Sequence, residues 1–162
     1  MDIDDFDRLY AEHADSVFSF LAYRTGDRAL ADDLLADTFE RVLRSRRRFR
    51  LRRQSEKSWL YTIAVNLLRD HFRRQQVERR AIERLSAVPE EESSSGGVLR
   101  VETLQSLAGA LATLSVAETE AIALRFGADL TLREIADVTG TPLSTVESRI
   151  NRALEKLREV LQ

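Results

Sequence analysis

The sequence predicts an all-α protein in which a flexible linker joins two small helical domains. Apolar residues recur at three- and four-residue spacings through most of the 162 residues, which is typical of amphipathic helices. The chain has only 2 Pro and 6 Gly, and 32% of its residues are charged. The segment SAVPEEESSSGG, Ser86–Gly97, has little to bury. It therefore predicts a linker over residues 85–100, between domains over 1–84 and 101–162.

Three helices are predicted in the first domain. The first covers residues 4–25 and ends at Gly26, and Asp27 caps a second helix that runs to about Ser45. The third runs from Ser58 to about Arg84 with a regular apolar stripe.

Between the second and third helices lies a basic segment, SRRRFRLRRQSEKS, Ser45–Ser58. Like charges at this density resist packing and favour solvent or an anionic partner. Arginines around Phe49 favour binding of single-stranded nucleic acid, because the arginines can contact phosphates and the aromatic ring can stack on a base. A disordered basic loop remains an alternative.

The second domain is predicted to contain four helices, over residues 99–113, 115–127, 131–139 and 142–161. Capping boxes are predicted at Ser115, Thr131 and Ser144, each followed three residues later by Glu, and Pro142 is predicted at a first helical position. The last two helices have the spacing of a helix-turn-helix whose second helix enters the DNA major groove. The polar face of that helix carries side chains that reach bases and phosphates: Thr145, Ser148, Arg149, Asn151, Arg152 and Lys156. An ordinary helical hairpin with a solvated face is the alternative.

Charge is segregated along the chain although the net charge is only −2. Residues 1–40 carry 3 basic and 11 acidic side chains, whereas residues 41–84 carry 15 basic and 4 acidic ones. Binding responds to the local field, so two partners of opposite charge are expected. The acidic face of the second helix fits a basic protein surface, or is simply solvated.

Composition also excludes several classes of function. The chain has no Cys, and its two His are far apart in sequence, so no metal or other cofactor is predicted. A nuclease using Asp32, Asp33 and Asp37 would lack a paired histidine and a phosphate loop, so no enzyme activity is expected. No apolar run is long enough for a membrane span, and MDIDDFD is unlike a signal peptide, so a cytoplasmic protein is expected.

Three motifs resemble those of bacterial RNA polymerase sigma factors of the extracytoplasmic-function (ECF) subfamily. They are ADDLLADTF (Ala31–Phe39), WLYTIAVNLLRDHFRR (Trp59–Arg74) and LTLREIADVTGTPLSTVESRINRALEKLRE (Leu130–Glu159). In that family they lie in region 2, which docks on the polymerase and melts the −10 element, and in region 4, which binds the −35 element.

The resemblance implies a role for each set of residues. Docking on core RNA polymerase is implied for Asp32, Asp33, Leu34, Asp37 and Phe39. Contact with the −10 DNA, which is melted to single strands, is implied for Arg48, Phe49, Trp59, Asn66, Asp70, Arg73 and Arg74, although Trp59 is expected to lie mainly in the core. Recognition of the −35 duplex is implied for Ser144, Thr145, Glu147, Ser148, Arg149, Asn151 and Arg152. The resemblance also implies an anti-sigma protein, and the acidic linker is either a tether or a mimic of nucleic-acid charge.

Three positions depart from the family pattern. The family usually has Gln at Ala36, often Arg at Val65, and Lys or Arg at Glu147. The carboxylate of Glu147 would accept a hydrogen bond from cytosine N4, whereas a cation at this position would bind guanine. Alternatively, the carboxylate is used in a capping box. The competing function is a stand-alone DNA-binding regulator that never joins the polymerase, but such a protein would need neither the acidic helix nor the basic segment.

Overall fold

The computed structural model describes residues 2–49, 54–85 and 102–162, and within these ranges it contains helices and no strand. The predicted all-α class is confirmed. Residues 86–100 of the predicted linker, together with Val101 and residues 50–53 of the basic segment, lie outside the described part of the chain. The helices are α1 (Ile3–Thr25), α2 (Arg28–Phe49), α3 (Glu56–Leu85), α4 (Glu102–Ala112), α5 (Val116–Ile122), α6 (Leu132–Thr139) and α7 (Leu143–Leu161), with a π-helical turn at Ala123–Gly127 after α5.

Local signals set the ends of α1 and the start of α2. Asp2 and Asp5 form a reciprocal capping box at the start of α1. Gly26 ends α1 in the left-handed conformation with φ 67°, which a residue without a Cβ adopts at little cost. The carboxylate of Asp27 accepts the backbone N–H of Leu30 at 3.1 Å, so the predicted cap of the second helix is confirmed.

Helices α1–α3, the N-terminal group, enclose a core of large apolar side chains. Phe39 packs edge-on against Tyr10 and Phe6, with ring centroids 4.8 and 6.0 Å apart. Trp59 is 2% exposed, and Val65 is fully buried. Val65, where the resemblance leads one to expect Arg, therefore lies in the core. An arginine there would bring a charge out of water at considerable cost.

Both helices that flank the basic segment extend further into it than the sequence predicted. α2 continues through Arg46–Arg48 to Phe49, whose side chain lies outside the described part of the structure. α3 already begins at Glu56, because the Ser55 hydroxyl accepts the N–H of Ser58 at 3.1 Å. The last turn of α2 accommodates these exposed arginines because their charges lie in solvent and complement the negative end of the helix dipole.

Helices α4–α7, the C-terminal group, contain the helix-turn-helix. Thr131 and Glu134 form the predicted capping box, and Gly140 ends α6 with φ 67°. At the start of α5 the Ser115 hydroxyl accepts the N–H of Glu118, but the Glu118 carboxylate binds Lys156 of α7, with both oxygens 2.9 Å from Nζ. The bond to Lys156 fastens α5 to α7, and no reciprocal capping bond from Glu118 accompanies it.

The start of α7 also differs from the prediction. Pro142 is the N-terminal cap residue and not the first helical residue, because α7 begins at Leu143. No side chain caps this end, so the predicted capping box of Ser144 and Glu147 is wrong. A proline with ψ 148° ends the preceding turn in extended backbone, and Ser144 then lies inside the helix, where its hydroxyl cannot serve as the cap.

The two groups pack against each other along α3 and α6. Ser55 and Ser58 at the start of α3 each donate a hydrogen bond of 3.1 Å to the Glu134 carboxylate of α6. Further along α3, Arg69 donates to the carbonyl of Thr139, the last residue of α6. α6 therefore lies alongside α3, and the first helix of the helix-turn-helix is part of the boundary between the groups.

Candidate nucleic-acid interface

Helix α7 presents the predicted −35 residues on the side away from the core. Val146, Ile150 and Ala153 are buried against the rest of the C-terminal group. This anchoring leaves the opposite side of the first turns open to solvent. The exposed residues are Ser144, Glu147, Ser148, Asn151 and Arg152, and the half-buried ones are Thr145 and Arg149.

The carboxylate of Glu147 is exposed on this side, and it does not take part in a capping box. Glu147 therefore lies on a surface that can face DNA. A carboxylate accepts hydrogen bonds only, so the donor and acceptor pattern of the recognition helix changes at this position.

The predicted −10 residues divide between surface and core. Asn66, Arg73 and Arg74 are exposed on α3, and the half-buried Asp70 lies 3.8 Å from Arg73. Trp59 is almost completely buried, which does not fit a role in contacting DNA. A tryptophan at the start of a long amphipathic helix contributes more by burial of its large apolar surface than by exposure to a ligand.

Arg48, which is also predicted to contact the −10 DNA, is exposed in the last turn of α2. The predicted stacking residue, Phe49, and the cations that follow at 50–53 lie outside the part of the structure that describes side chains.

The predicted docking residues divide in the same way. Asp32, Asp33 and Asp37 are exposed on one side of α2, as is Ala36. Leu34 and Phe39 are 6% and 4% exposed and belong to the core, so they hold the acidic face in place and do not offer a contact surface. Apolar positions in this motif follow the buried side of α2.

A groove of about 330 Å³ between α2 and α3 brings the docking and −10 residues together. Its lining includes Asp33 and Asp37 of α2 with Asp70 and Arg74 of α3. The predicted docking residues and the predicted −10 residues are therefore adjacent, and a partner bound to the acidic face of α2 would contact the edge of the predicted −10 surface.

Two carboxylates between the groups were not expected from the sequence. Glu120 of α5, with a side chain 8% exposed, accepts a hydrogen bond of 2.6 Å from Arg69 and lies 3.9 Å from Arg24 of α1. Glu134 accepts from Ser55 and Ser58, and also from its own cap residue Thr131. Because each pair joins residues more than 50 positions apart, apart from the local cap, no spacing rule identifies it.

The local environment changes the acidity of Glu134. Burial raises the pKa of this carboxyl, but hydrogen bonds from Thr131, Ser58 and Ser55 outweigh burial and hold the pKa below its ordinary value. Glu134 is therefore ionised at neutral pH, when it stabilises the contact between α6 and α3.

Arg73 of the −10 surface and Arg149 of α7 line one cleft between the two groups. The two predicted DNA-binding surfaces thus meet in this arrangement. No cluster of metal-binding side chains occurs among the described residues. None of the described helices is long and apolar enough to cross a membrane.

A helix-turn-helix beside a basic α3 and an acidic α2 defines a DNA-binding helical protein, and comparisons with known proteins identify its family. The chain matches the models for Sigma-70 region 2 over residues 9–78 and for Sigma-70, region 4 over residues 110–159. The RNA polymerase sigma factor CarQ of Myxococcus xanthus is 36% identical over 161 residues, covering 98% of this chain and 90% of CarQ. The ECF RNA polymerase sigma factor BldN of Streptomyces coelicolor is 34% identical over 160 residues, and the match covers 98% of this chain and 61% of BldN.

The fold is also similar to that of the sigma factor RpoE from Bartonella quintana, in its crystal structure with the anti-sigma factor NepR. The TM-score is 0.74 at 26% identity, and the match covers 98% of each chain. The present chain belongs to the sigma-70 family of RNA polymerase sigma factors, within its ECF subfamily.

Proposed function

We propose that this chain binds core RNA polymerase, directs it to promoters through the −35 and −10 elements, and promotes opening of the DNA. The observation that carries the proposal is the presence, in one chain, of an exposed acidic face on α2, a basic surface on α3 and an exposed recognition helix, α7. Residues 1–84 and 101–162 would be regions 2 and 4, with 85–100 as the linker. The chain would act in the cytoplasm, where the polymerase works.

Helix α7 would enter the major groove at the −35 element. Its exposed first turns offer hydroxyl, amide and guanidinium donors, which suit base edges and phosphates. Arg149 and Arg152 would make the strongest contacts, because a guanidinium can bind guanine or a phosphate with two hydrogen bonds. Phosphate contacts would position the helix, and base contacts would give specificity.

Helix α3 and the basic segment would act at the −10 element. Unpairing and unstacking cost a few kcal/mol for each displaced base. Binding of the opened strand offsets this cost through phosphate contacts and through stacking on an aromatic side chain. Asn66, Arg73 and Arg74 are exposed and available for those contacts. No covalent step is required of this chain, and its family consists of transcription initiation factors without enzyme activity.

The compact arrangement must open for the two elements to be bound together. Arg73 and Arg149 share one cleft, whereas the −35 and −10 elements are about 25 base pairs apart, or roughly 85 Å at about 3.4 Å per pair. The longest helix, α3, has 30 residues and spans about 45 Å. The two groups would therefore separate when the chain engages polymerase and promoter.

A further partner would be an anti-sigma protein. The Bartonella RpoE structure holds its anti-sigma factor NepR, and its chain matches the present one over 98% of both. A protein that stabilises the compact arrangement would prevent separation of the groups and so prevent promoter binding.

Run-off transcription with core polymerase tests the proposal. Purified chain should co-elute with core polymerase and yield promoter-dependent transcripts. The triple change Asp32→Asn, Asp33→Asn and Asp37→Asn should weaken co-elution at least tenfold. A matched control removes the same charge from exposed positions of α1, by Asp4→Asn, Asp7→Asn and Asp15→Asn, and should bind normally.

The comparisons do not favour a stand-alone DNA-binding regulator. Duplex binding through α7 without affinity for core polymerase would nevertheless support that function and would overturn the proposal. Equal loss of binding in the two triple variants would show that only overall charge matters.

A further inference from the structure

The cleft between the two helical groups is lined by an unusual concentration of arginines. Its volume is about 880 Å³, within the roughly 300–1,000 Å³ typical of small-molecule sites. One carboxylate, Glu120, belongs to its described lining. The arginines come from α1, α3 and α7, and they are Arg24, Arg69, Arg73, Arg79 and Arg149.

Among the described residues, this positive charge is only partly neutralised. Glu120 is engaged by Arg69 at 2.6 Å and by Arg24 at 3.9 Å. The ion pair of Arg73 within the described residues is a long one, to Asp70 at 3.8 Å. Several like charges held in one concave site attract an anion, and concave walls concentrate the field.

Arg24 is a largely buried cation in the lining of the cleft. Its side chain is 7% exposed, and its guanidinium lies 5.6 Å from the centre of the Phe72 ring. Its Nε is buried, and no acceptor among the described residues reaches it. A buried donor without an acceptor is costly and rare, and the positive charge of Arg24 adds to the field in the cleft.

The dimensions of the cleft favour a small ligand over a DNA duplex. A rigid duplex cannot follow the wall of a concave site as far as Arg24, whose side chain is only 7% exposed, whereas a small anion can enter the site. Thr139 and Thr141 add hydroxyl groups, and Gln75 and Gln76 add amides, to the lining. Guanidinium groups with neighbouring hydroxyl and amide donors are the usual partners of phosphate oxygens.

We propose that the cleft binds a small anion carrying several phosphate groups, of the inorganic polyphosphate or nucleoside polyphosphate class. Arg24 adds positive charge from the floor, while Arg79 of α3 and Arg149 of α7 donate hydrogen bonds to the ligand. A ligand held from both groups stabilises the compact arrangement. Its effect on promoter binding rests on the proposed function, but the binding itself does not.

Isothermal titration calorimetry of the full chain with sodium tripolyphosphate tests the site. Sodium sulfate at matched ionic strength is the reference ligand, and ATP is titrated in parallel. One saturable site is expected, with affinity for tripolyphosphate at least tenfold above that for sulfate. The double variant Arg79→Gln/Arg149→Gln should lose roughly tenfold or more in affinity, because two charge-assisted contacts are removed. The matched control, Arg133→Gln/Arg158→Gln, removes two exposed arginines elsewhere and should change affinity less than twofold.

Tighter binding of ATP than of tripolyphosphate would assign the site to nucleotides, and the reverse order would assign it to inorganic polyphosphate. Both results support the proposal. Equal losses in the two double variants, or no saturable binding, would overturn it. It would also be overturned if a short single-stranded DNA bound in the cleft and tripolyphosphate did not. These titrations need neither polymerase nor promoter, so their failure is distinct from failure in the run-off assay.

Discussion

Arg69 of α3 and Glu120 of α5 are joined across the boundary between the two helical groups by a hydrogen bond of 2.6 Å. The Glu120 side chain is 8% exposed, so its carboxylate depends on this partner and on Arg24. Loss of one partner leaves a buried charge poorly compensated, which costs about 1–3 kcal/mol. Substitution of Arg69 therefore tests how the two groups pack against each other.

Arg69→Ala is expected to loosen the contact between the groups. The variant should expand, with a larger radius of gyration in small-angle X-ray scattering at low salt. Arg44→Ala serves as the control, because it removes an exposed pair with Glu40 inside α2 and should leave the dimensions unchanged. Unchanged scattering of the Arg69 variant would contradict the role given to the pair.

Stability should depend on pH through Glu134. The pKa of this carboxyl lies below its ordinary 4.5 in the folded chain, so the unfolded chain binds the proton more tightly. The carboxylate therefore stabilises the fold above about pH 4.5, and that contribution disappears as pH falls through the lower folded pKa. Glu134→Gln should lower the free energy of unfolding at pH 7 by about 1–2 kcal/mol.

Urea unfolding of the two proteins between pH 7 and pH 3 measures this effect. The difference between wild type and Glu134→Gln should shrink as pH falls. Glu83→Gln, at an exposed position of α3, should follow the wild-type profile throughout. A difference that stays constant down to pH 3 would show that the hydrogen-bonded carboxylate is not the cause.

Short-range signals predicted most of the helices. Gly26, Gly140 and the pair of Thr131 and Glu134 were recognisable because their effect depends on residues within one helical turn. The exposed side of α7 followed from the apolar spacing on its other side. The same local rule failed at Ser144, because it could not show that Pro142 already serves as the cap residue.

Contacts between distant residues were not predictable in the same way. Glu118 has the spacing of a capping box, but Lys156 on another helix binds its carboxylate. The lysine also holds the pKa of Glu118 below its ordinary value, chiefly through this hydrogen bond. Phe39 was assigned to docking from its motif, although its ring packs in the core. A motif gives residue types, whereas only the packed helices show which side chains remain outside.

Glu147 should alter the base preference at one position of the −35 element. Its exposed carboxylate can accept from cytosine N4, while a cation there would favour guanine on the same strand. Glu147→Arg should therefore change the preferred base to guanine, with discrimination of about 1–3 kcal/mol. Selection of sites from random duplex DNA measures the change.

The control for this selection is Glu155→Arg, which makes the same charge change at an exposed position further along α7. It should increase affinity for all duplexes while leaving base preference unchanged. A guanine preference already present in the wild type at the Glu147 position would contradict the prediction.

Substitutions at Trp59 and Arg74 should affect different properties, the first lowering stability and the second weakening promoter opening. Trp59 is 2% exposed, so Trp59→Phe should lower the free energy of unfolding by about 1–3 kcal/mol through imperfect packing and leave opening by the folded protein unchanged. Arg74 is exposed on α3, so Arg74→Ala should change stability by less than about 0.5 kcal/mol and weaken opening. Thermal unfolding measures the first quantity, and permanganate reactivity of −10 thymines, with core polymerase present, measures the second. A loss of opening in Trp59→Phe at a temperature where the variant is fully folded would show that the indole itself contacts DNA, and that the −10 surface extends into what is the core of the compact arrangement.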